Sequence, residues 1–228
     1  MQTQKLPSES SWKVIHASEF EKRKPQLAKP AVIDEEIKID NNKMLLSITD
    51  TKGVITYCNQ DFVDTCGYEE WELAGSPHNI IRHPDMPRFI FKFMWNRIEN
   101  KHNIIAIVKN LAKDGRHYWV MTDFVIKEDE QGNITGYKAY RRPAPRKAIE
   151  AVIPLYKKLL NIEKVKGMDA SQDYLIGYLE SLNTTYDDFI ENLIIDTVDE
   201  SISETKTEEK QHLSKTEKRS FFRRLFKN

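Results

Sequence analysis

Residues 82–87 read Arg-His-Pro-Asp-Met-Pro and stand directly ahead of an amphipathic segment. Apolar side chains recur there at spacings of three and four from position 89 to position 98, which predicts an α-helix. Pro87 suits the first turn of that helix, whose N–H groups have no partners within the helix. Arg82 and His83 add further donors, so the turn suits an anionic ligand. The alternative is a helix-capping turn that binds nothing.

Segments with strand character lie on both sides of this region. Two precede it and are joined by an Asp-Thr-Lys-Gly turn, and three follow it with turns that contain Asp-Gly and Gln-Gly-Asn. The stretch between the two groups has helical spacing. This order predicts an α+β fold, with a five-stranded antiparallel sheet and helices across one face. The predicted strands are residues 45–48, 54–58, 104–111, 116–127 and 134–141.

Appended helices follow the last strand. Residues 146–165 are amphipathic, and Pro154 within them is expected to kink or break the helix. Gly167 is expected to end this helix, Ser171 to cap a second, and Thr184 or Thr185 to precede a third. Such helices either transmit a signal or stabilise the sheet as a cap.

The chain therefore divides into four predicted parts. They are a flexible N-terminal arm with one short helix at most (1–43), the sheet domain (44–142), a helical extension (143–197) and a mostly disordered tail (198–228). The tail ends in alternating basic and aromatic residues, so residues 215–228 suit an anionic membrane surface or a partner protein. A solvated end without a function is the alternative.

Composition excludes several classes of protein. Lys plus Arg and Asp plus Glu both number 35, so net charge indicates no nucleic-acid partner. Cys58 and Cys66 match no disulfide scaffold, zinc knuckle or redox pair and are expected to be buried free thiols. Neither a signal peptide nor a membrane-spanning run is apparent, which predicts a cytoplasmic protein. The sequence contains no nucleophile elbow, P-loop or metalloprotease motif, so no enzyme is expected.

Three segments carry a resemblance to a known family. Residues 54–64, Val-Ile-Thr-Tyr-Cys-Asn-Gln-Asp-Phe-Val-Asp, resemble the passage from strand to helix in PAS domains, where an Asn such as Asn59 closes the second strand. The hexapeptide at 82–87, together with Val-Lys-Asn-Leu-Ala-Lys-Asp-Gly-Arg-His-Tyr-Trp-Val at 108–120, is similar to the PAS domain of bacterial aerotaxis receptors, which holds a flavin. The resemblance covers residues 44–142. The continuation Pro-Leu-Tyr-Lys-Lys-Leu-Leu also resembles stand-alone PAS proteins of epsilonproteobacterial energy taxis.

The resemblance implies a cytoplasmic sensor of redox or energy state that binds FAD and signals by protein contact. Its partner would be a membrane-bound chemoreceptor or another signalling protein, and PAS domains commonly pair as homodimers or heteromers. One position departs from the family, because Ile104 stands where a pocket Trp is expected and cannot stack as an indole does. The positions expected at the cofactor are Arg82, His83, Asp85, Asn59, Trp119 and Ile104.

Three other functions are considered beside this one. Ile104 favours a PAS scaffold that holds no cofactor and binds only another protein. His78 and His83 lie in the segment where such domains can carry an axial haem ligand. A light sensor with a cysteine–flavin adduct fails, because Cys66 lies about a dozen residues too early.

Overall fold

A computed structural model describes residues 28–205, with side chains to residue 195. Five antiparallel strands form one sheet, as predicted, and their order is β2-β1-β5-β4-β3. The strands are β1 (Leu45–Thr49), β2 (Ile55–Cys58), β3 (Ile105–Leu111), β4 (His117–Glu128) and β5 (Ile134–Pro143). The predicted strands are confirmed to within two residues at each end.

Short helices connect β2 to β3 and cover one face of the sheet. Asn59 caps the first of them by accepting a hydrogen bond from the Phe62 backbone, and the expected helix after Pro87 begins at Arg88. The helices are α1 (Gln60–Cys66), α2 (Glu70–Leu73), a 3₁₀ turn (His78–Ile81), α3 (Arg88–Glu99), α4 (Arg146–Lys166), α5 (Met168–Ser181) and α6 (Tyr186–Thr205).

Strand alternation gives the sheet two different faces. Because successive side chains point to opposite sides, Thr122 and Phe124 of β4 face α3, whereas Trp119 and Met121 face away. Arg141 of β5 lies directly opposite Thr122 in the register. The face toward α3 therefore carries polar side chains at the centre of the sheet.

The appended helices pack on α3 and on the edge strand β3. The buried Tyr156 hydroxyl donates to the Ile107 carbonyl at 2.8 Å, which satisfies an acceptor of that edge. The expected break at Pro154 is wrong, because α4 runs unbroken through it. Proline has no N–H to donate to the Glu150 carbonyl, but Glu150 is exposed, so water can hydrate that carbonyl instead. Gly167 does end α4.

The predicted cap at Ser171 is also wrong. Helix α5 already begins at Met168, and the fully buried Ser171 hydroxyl instead donates to the Leu159 carbonyl of α4 at 3.3 Å. The prediction for α6 is confirmed, since the Thr185 hydroxyl accepts from the Asp188 backbone at 3.1 Å, as an N-cap does.

Part of the predicted N-terminal arm lies against the sheet. The backbones of Ile33 and Ile37 donate to Gly115 and His117 at 2.7 Å, so residues 33–37 run beside the start of β4. The short helix expected within 1–43 falls mainly on residues 1–27, and the basic-aromatic end falls on 206–228. Both lie outside the described residues.

Candidate functional site

A cavity of about 360 Å³ lies between the sheet and α3. Its aromatic lining comes from Phe91 and Trp95 of α3 and from Phe124 and Tyr137 of the sheet. The Trp95 ring meets Tyr137 edge to face, with ring centres 5.4 Å apart. It also lies over Gly53, where an added Cβ would come within 2.9 Å of the indole. The volume and the lining suit a planar small molecule.

The sheet wall of the cavity holds several polar side chains that are almost fully buried. Thr122, Asn110 and Arg141 are exposed by only 2–3%. Among the described residues, Thr122 Oγ1 and Asn110 Nδ2 have no hydrogen-bond partner, although Asn110 is near enough to the Tyr118 hydroxyl to act on its pKa. Unpaired polar atoms are costly inside a protein unless a ligand or water satisfies them. These groups therefore suit a ligand with polar atoms on one edge.

Arg141 is a buried cation whose described hydrogen-bond partners are all neutral. Its guanidinium donates to Ser47 Oγ at 2.8 Å, to the Ala139 carbonyl at 3.2 Å and to His78 Nε2 at 2.9 Å. Burial lowers the pKa of Arg141 to about 10, and no described carboxylate forms an ion pair with it. A buried charge ordinarily has an opposite charge beside it. The cavity wall therefore offers an unneutralised positive charge.

His78 is a neutral acceptor in this cluster. Burial and the adjacent Arg141 lower the pKa of His78 well below its usual range. Its Nε2 atom lies 2.9 Å from the Arg141 guanidinium and 3.1 Å from Ser47 Oγ. Nε2 is thus committed to accepting hydrogen bonds.

A second cavity, of about 390 Å³, lies beside the first and shares Asn79, Arg82 and Arg88 with it. Four cationic residues line it against one carboxylate. The cations are Lys29, Arg82, Arg88 and Lys164, and the carboxylate is Glu163. The second cavity, including the two arginines that it shares with the first, is therefore strongly basic, which suits an anionic extension of a ligand.

The predicted anion site at the α3 N-terminus holds a side chain of the protein itself. Glu163 of α4 accepts hydrogen bonds from the backbones of Arg88 and Phe89 at 2.8 and 2.7 Å. Sequence reasoning missed this contact, because the two partners are 74 and 75 residues apart and no local pattern joins them.

The structure separates the predicted site residues. Arg82 lines both cavities, with its guanidinium 4.6 Å from the centre of the Phe91 ring. His83 lines the second cavity only, and Asp85 lies on the surface, paired with Lys109 at 2.9 Å. The His83 ring is fully buried, and its Nδ1 accepts from the Asp85 backbone at 3.1 Å.

The other three predicted positions lie outside both linings. Asn59 uses its amide to join β1 to α1, accepting from Leu46 at 2.9 Å and donating to Met44 at 2.7 Å. Trp119 is on the far face of the sheet, and Ile104 is buried in the core ahead of β3. Aromatic residues at other positions line the cavity.

The cysteines are buried free thiols, as predicted. Burial raises the pKa of Cys58 to about 12 and that of Cys66 to about 11, so both stay protonated at neutral pH. Neither residue lines the aromatic cavity.

Comparison with known proteins identifies the domain. A family model described as the PAS fold matches residues 55–141, from β2 to within β5. The sheet and its covering helices form a PAS domain. The aerotaxis receptor of Escherichia coli (strain K12) is 42% identical over 130 residues, covering 57% of this chain and 26% of the receptor. The nitrogen fixation regulatory protein of Klebsiella pneumoniae is 27% identical over 104 residues, covering 46% of this chain and 21% of that protein.

The matches outline the PAS region and not whole proteins. The chain spans about a quarter of the length of these two curated relatives. A solved PAS domain from Colwellia psychrerythraea is 23% identical with a TM-score of 0.41, covering 44% of this chain and 85% of that one.

Two kinds of feature are absent from the described residues. From residue 28 to residue 205, no helix combines the length and the apolar character that crossing a bilayer requires. Within the same range, no group of His, Cys, Asp and Glu side chains is arranged to hold a metal ion.

Proposed function

We propose that this protein is a signal-transduction sensor whose PAS cavity binds FAD and reports redox or energy state through protein contact. The observation that carries the proposal is Arg141, a buried cation without a described carboxylate partner in the wall of an aromatic cavity. The resemblance to the flavin-holding PAS domains of aerotaxis receptors agrees with it, as does the identity with the E. coli receptor.

The residues of the two cavities fit the parts of this cofactor. Phe91, Trp95 and Phe124 suit the faces of the planar ring system. Thr122 and Asn110 have polar atoms free for the carbonyl and imide edge of that ring. The first cavity is too small for a whole dinucleotide, so the phosphates would extend over Arg82 and Arg88 into the second.

A bound flavin supplies a redox couple whose ring changes charge and protonation with its oxidation state. The protein's part is to orient the ring and to respond to that change. Arg141 places a fixed positive charge at the sheet wall, where it favours a more negative ring. Because His78 and Ser47 share hydrogen bonds with Arg141, a change of charge on the ligand would redistribute these bonds.

The signal would leave through α3. This helix lines the cavity with Phe91 and Trp95, and on another side it contacts α6, where Arg97 binds Asp187 at 2.7 Å. A change in the cavity would therefore bias the docking of the appended helices. We propose that these helices pass the signal, in the cytoplasm, to a membrane-bound chemoreceptor or a similar protein, with the PAS domain in a homodimer or heteromer.

The cluster argues against His78 as a haem ligand. An axial ligand needs a free ring nitrogen, and His78 Nε2 accepts a hydrogen bond from a guanidinium. His83 keeps a nitrogen without a described partner, because the Asp85 backbone engages only its Nδ1 atom.

A visible spectrum of the purified full-length chain tests the proposal. We expect flavin absorption, and FAD in the supernatant after denaturation. Thr122→Val, which keeps the side-chain shape but removes the hydroxyl at the cavity, should lower the flavin content about threefold or more, as expected for one lost buried hydrogen bond. Thr135→Val on the exposed end of β5 is the matched control and should retain the flavin.

Absence of flavin from both the protein and the supernatant, with no uptake of added FAD, would overturn the cofactor and favour the cofactor-free scaffold. A Soret band would establish haem instead.

A further inference from the structure

Glu163 occupies a position that resembles that of a bound anion. Its two carboxylate oxygens accept from two consecutive backbone N–H groups in the first turn of α3, at 2.7 and 2.8 Å. Phosphate groups bind helix N-termini through the same kind of contact, because these N–H groups have no partner within the helix and lie at the positive end of the helix dipole.

The surroundings of Glu163 carry more positive charge than one carboxylate neutralises. Arg82, Arg88, Lys164 and Lys29 line the same cavity. The mutual effect of the cations is visible at Arg82, where burial and the neighbouring Arg88 lower the pKa while Glu163 raises it. Such a cluster is able to accept a group with two or more negative charges.

His83 is an independent feature of the same cavity. Its side chain is fully buried and lines the same cavity, yet its Nε2 atom has no partner among the described residues. Because Nδ1 accepts from the Asp85 backbone, the proton of the neutral ring resides on Nε2. A residue of the cavity wall therefore carries a donor that has no described partner.

We propose that the cavity between α3 and α4 is a binding site for a pyrophosphate group, and that Glu163 is its internal competitor. A pyrophosphate at the α3 N-terminus displaces the carboxylate and removes one of the contacts that hold the C-terminal end of α4 against the PAS domain. Ligand binding and docking of α4 are then linked, and each weakens the other.

This inference rests on the proposed function where the pyrophosphate is that of FAD, and it names the device by which FAD would alter the appended helices. The same chemistry also fits a different molecule that carries a pyrophosphate. Inorganic pyrophosphate is therefore the probe, since it tests the site without the flavin ring.

The experiment uses the full chain freed of any flavin by dialysis, at low ionic strength so that charge effects are not screened. Calorimetry measures the affinity for inorganic pyrophosphate in the native protein, in Glu163→Gln and in Glu150→Gln. Glu150 lies on α4 and is exposed, with its ion pair to Arg146 at 3.2 Å, so it is a matched control. We expect about tenfold tighter binding in Glu163→Gln, because a competing charge is lost, and native affinity in Glu150→Gln.

Hydrogen exchange on the native protein tests the link to α4. Saturating pyrophosphate should make the amides of residues 160–166 exchange about tenfold faster, because the contact that holds this end of α4 on α3 is lost. In Glu163→Gln these amides should already exchange faster and should respond little to pyrophosphate.

Equal affinity in all three proteins, no binding at all, or binding without faster exchange would each overturn the proposal. Riboflavin and FAD distinguish the source of the pyrophosphate. If FAD gains affinity in Glu163→Gln and riboflavin does not, the site belongs to the flavin. If the protein takes up no flavin but binds pyrophosphate more tightly in Glu163→Gln, the proposed cofactor is wrong and the pyrophosphate site is supported.

Discussion

Replacing Arg141 by Met separates a role in the fold from a role in the cavity. Burial lowers the pKa of Arg141 from its ordinary value to about 10, and a pKa difference of one corresponds to about 1.4 kcal/mol. Keeping this residue charged in the folded protein at neutral pH therefore costs about 3 kcal/mol. Arg141→Met removes that cost but also removes three hydrogen bonds to neutral acceptors, each worth about 1 kcal/mol. The two effects nearly cancel.

We therefore expect Arg141→Met to change the free energy of unfolding by less than about 1.5 kcal/mol, well below the roughly 3–5 kcal/mol lost when one partner of a buried ion pair is removed. Urea unfolding of the flavin-free protein measures this, since a bound ligand would add its own stabilisation. Flavin content should fall about tenfold or more, whereas Lys138→Met, on the opposite face of β5, should retain flavin. A loss above about 4 kcal/mol with normal flavin content would refute the reasoning and make Arg141 a structural residue.

Three further substitutions test the surrounding structure. Burial raises the pKa of Asp123 from 3.8 to about 6, so the folded protein keeps this proton longer and loses stability as pH rises through that window. Asp123→Asn should raise the free energy of unfolding by about 3 kcal/mol at pH 8 and by almost nothing below pH 4, which urea unfolding at both pH values measures. Tyr156→Phe leaves the Ile107 carbonyl buried without its donor and should cost about 1–2 kcal/mol in urea unfolding with no change in flavin content. Gly115 has φ +93°, and an added Cβ would lie 2.1 Å from the Ala31 carbonyl. Gly115→Ala should therefore release residues 33–37 from the sheet, so that their amides exchange faster. The same substitution should lower the free energy of unfolding by about 2 kcal/mol or more. Unchanged exchange in that variant would contradict the close approach.

The sheet was predictable from the sequence because its signals are local. Gly-containing turns and β-branched runs mark each strand, and helical spacing after Pro87 marks α3. The predictions that were wrong concern helix ends and breaks, which depend on contacts between distant parts of the chain and on exposure. Ser171 has the composition of a helix cap, but packing of α5 on α4 buries it. Pro154 lies in an unbroken helix, because the exposed carbonyl of Glu150 can be hydrated.

The cavity was predictable only in part. Arg82 was found through its motif, whereas Thr122 and Arg141 come together because β4 and β5 pair in a register that no local pattern fixes. A signal for Arg141 did exist in the sequence. Arg141 shares one face of its strand with Tyr137 and Ala139, so the alternation carries a charge into the sheet interior, where it needs either a structural partner or a ligand.

The two faces of α3 explain why a ligand in the cavity would be felt by the appended helices. Phe91 and Trp95 are four residues apart and face the cavity, whereas Phe93 and Arg97 are four residues apart and face α6. A straight helix cannot turn one of these stripes without turning the other. Because the interior is close-packed, such a turn exchanges one set of contacts for another instead of deforming them gradually. A ligand that binds one arrangement of α3 more tightly than the other therefore shifts the docking equilibrium of α6. The size of that shift equals the difference between the ligand's binding free energies for the two arrangements.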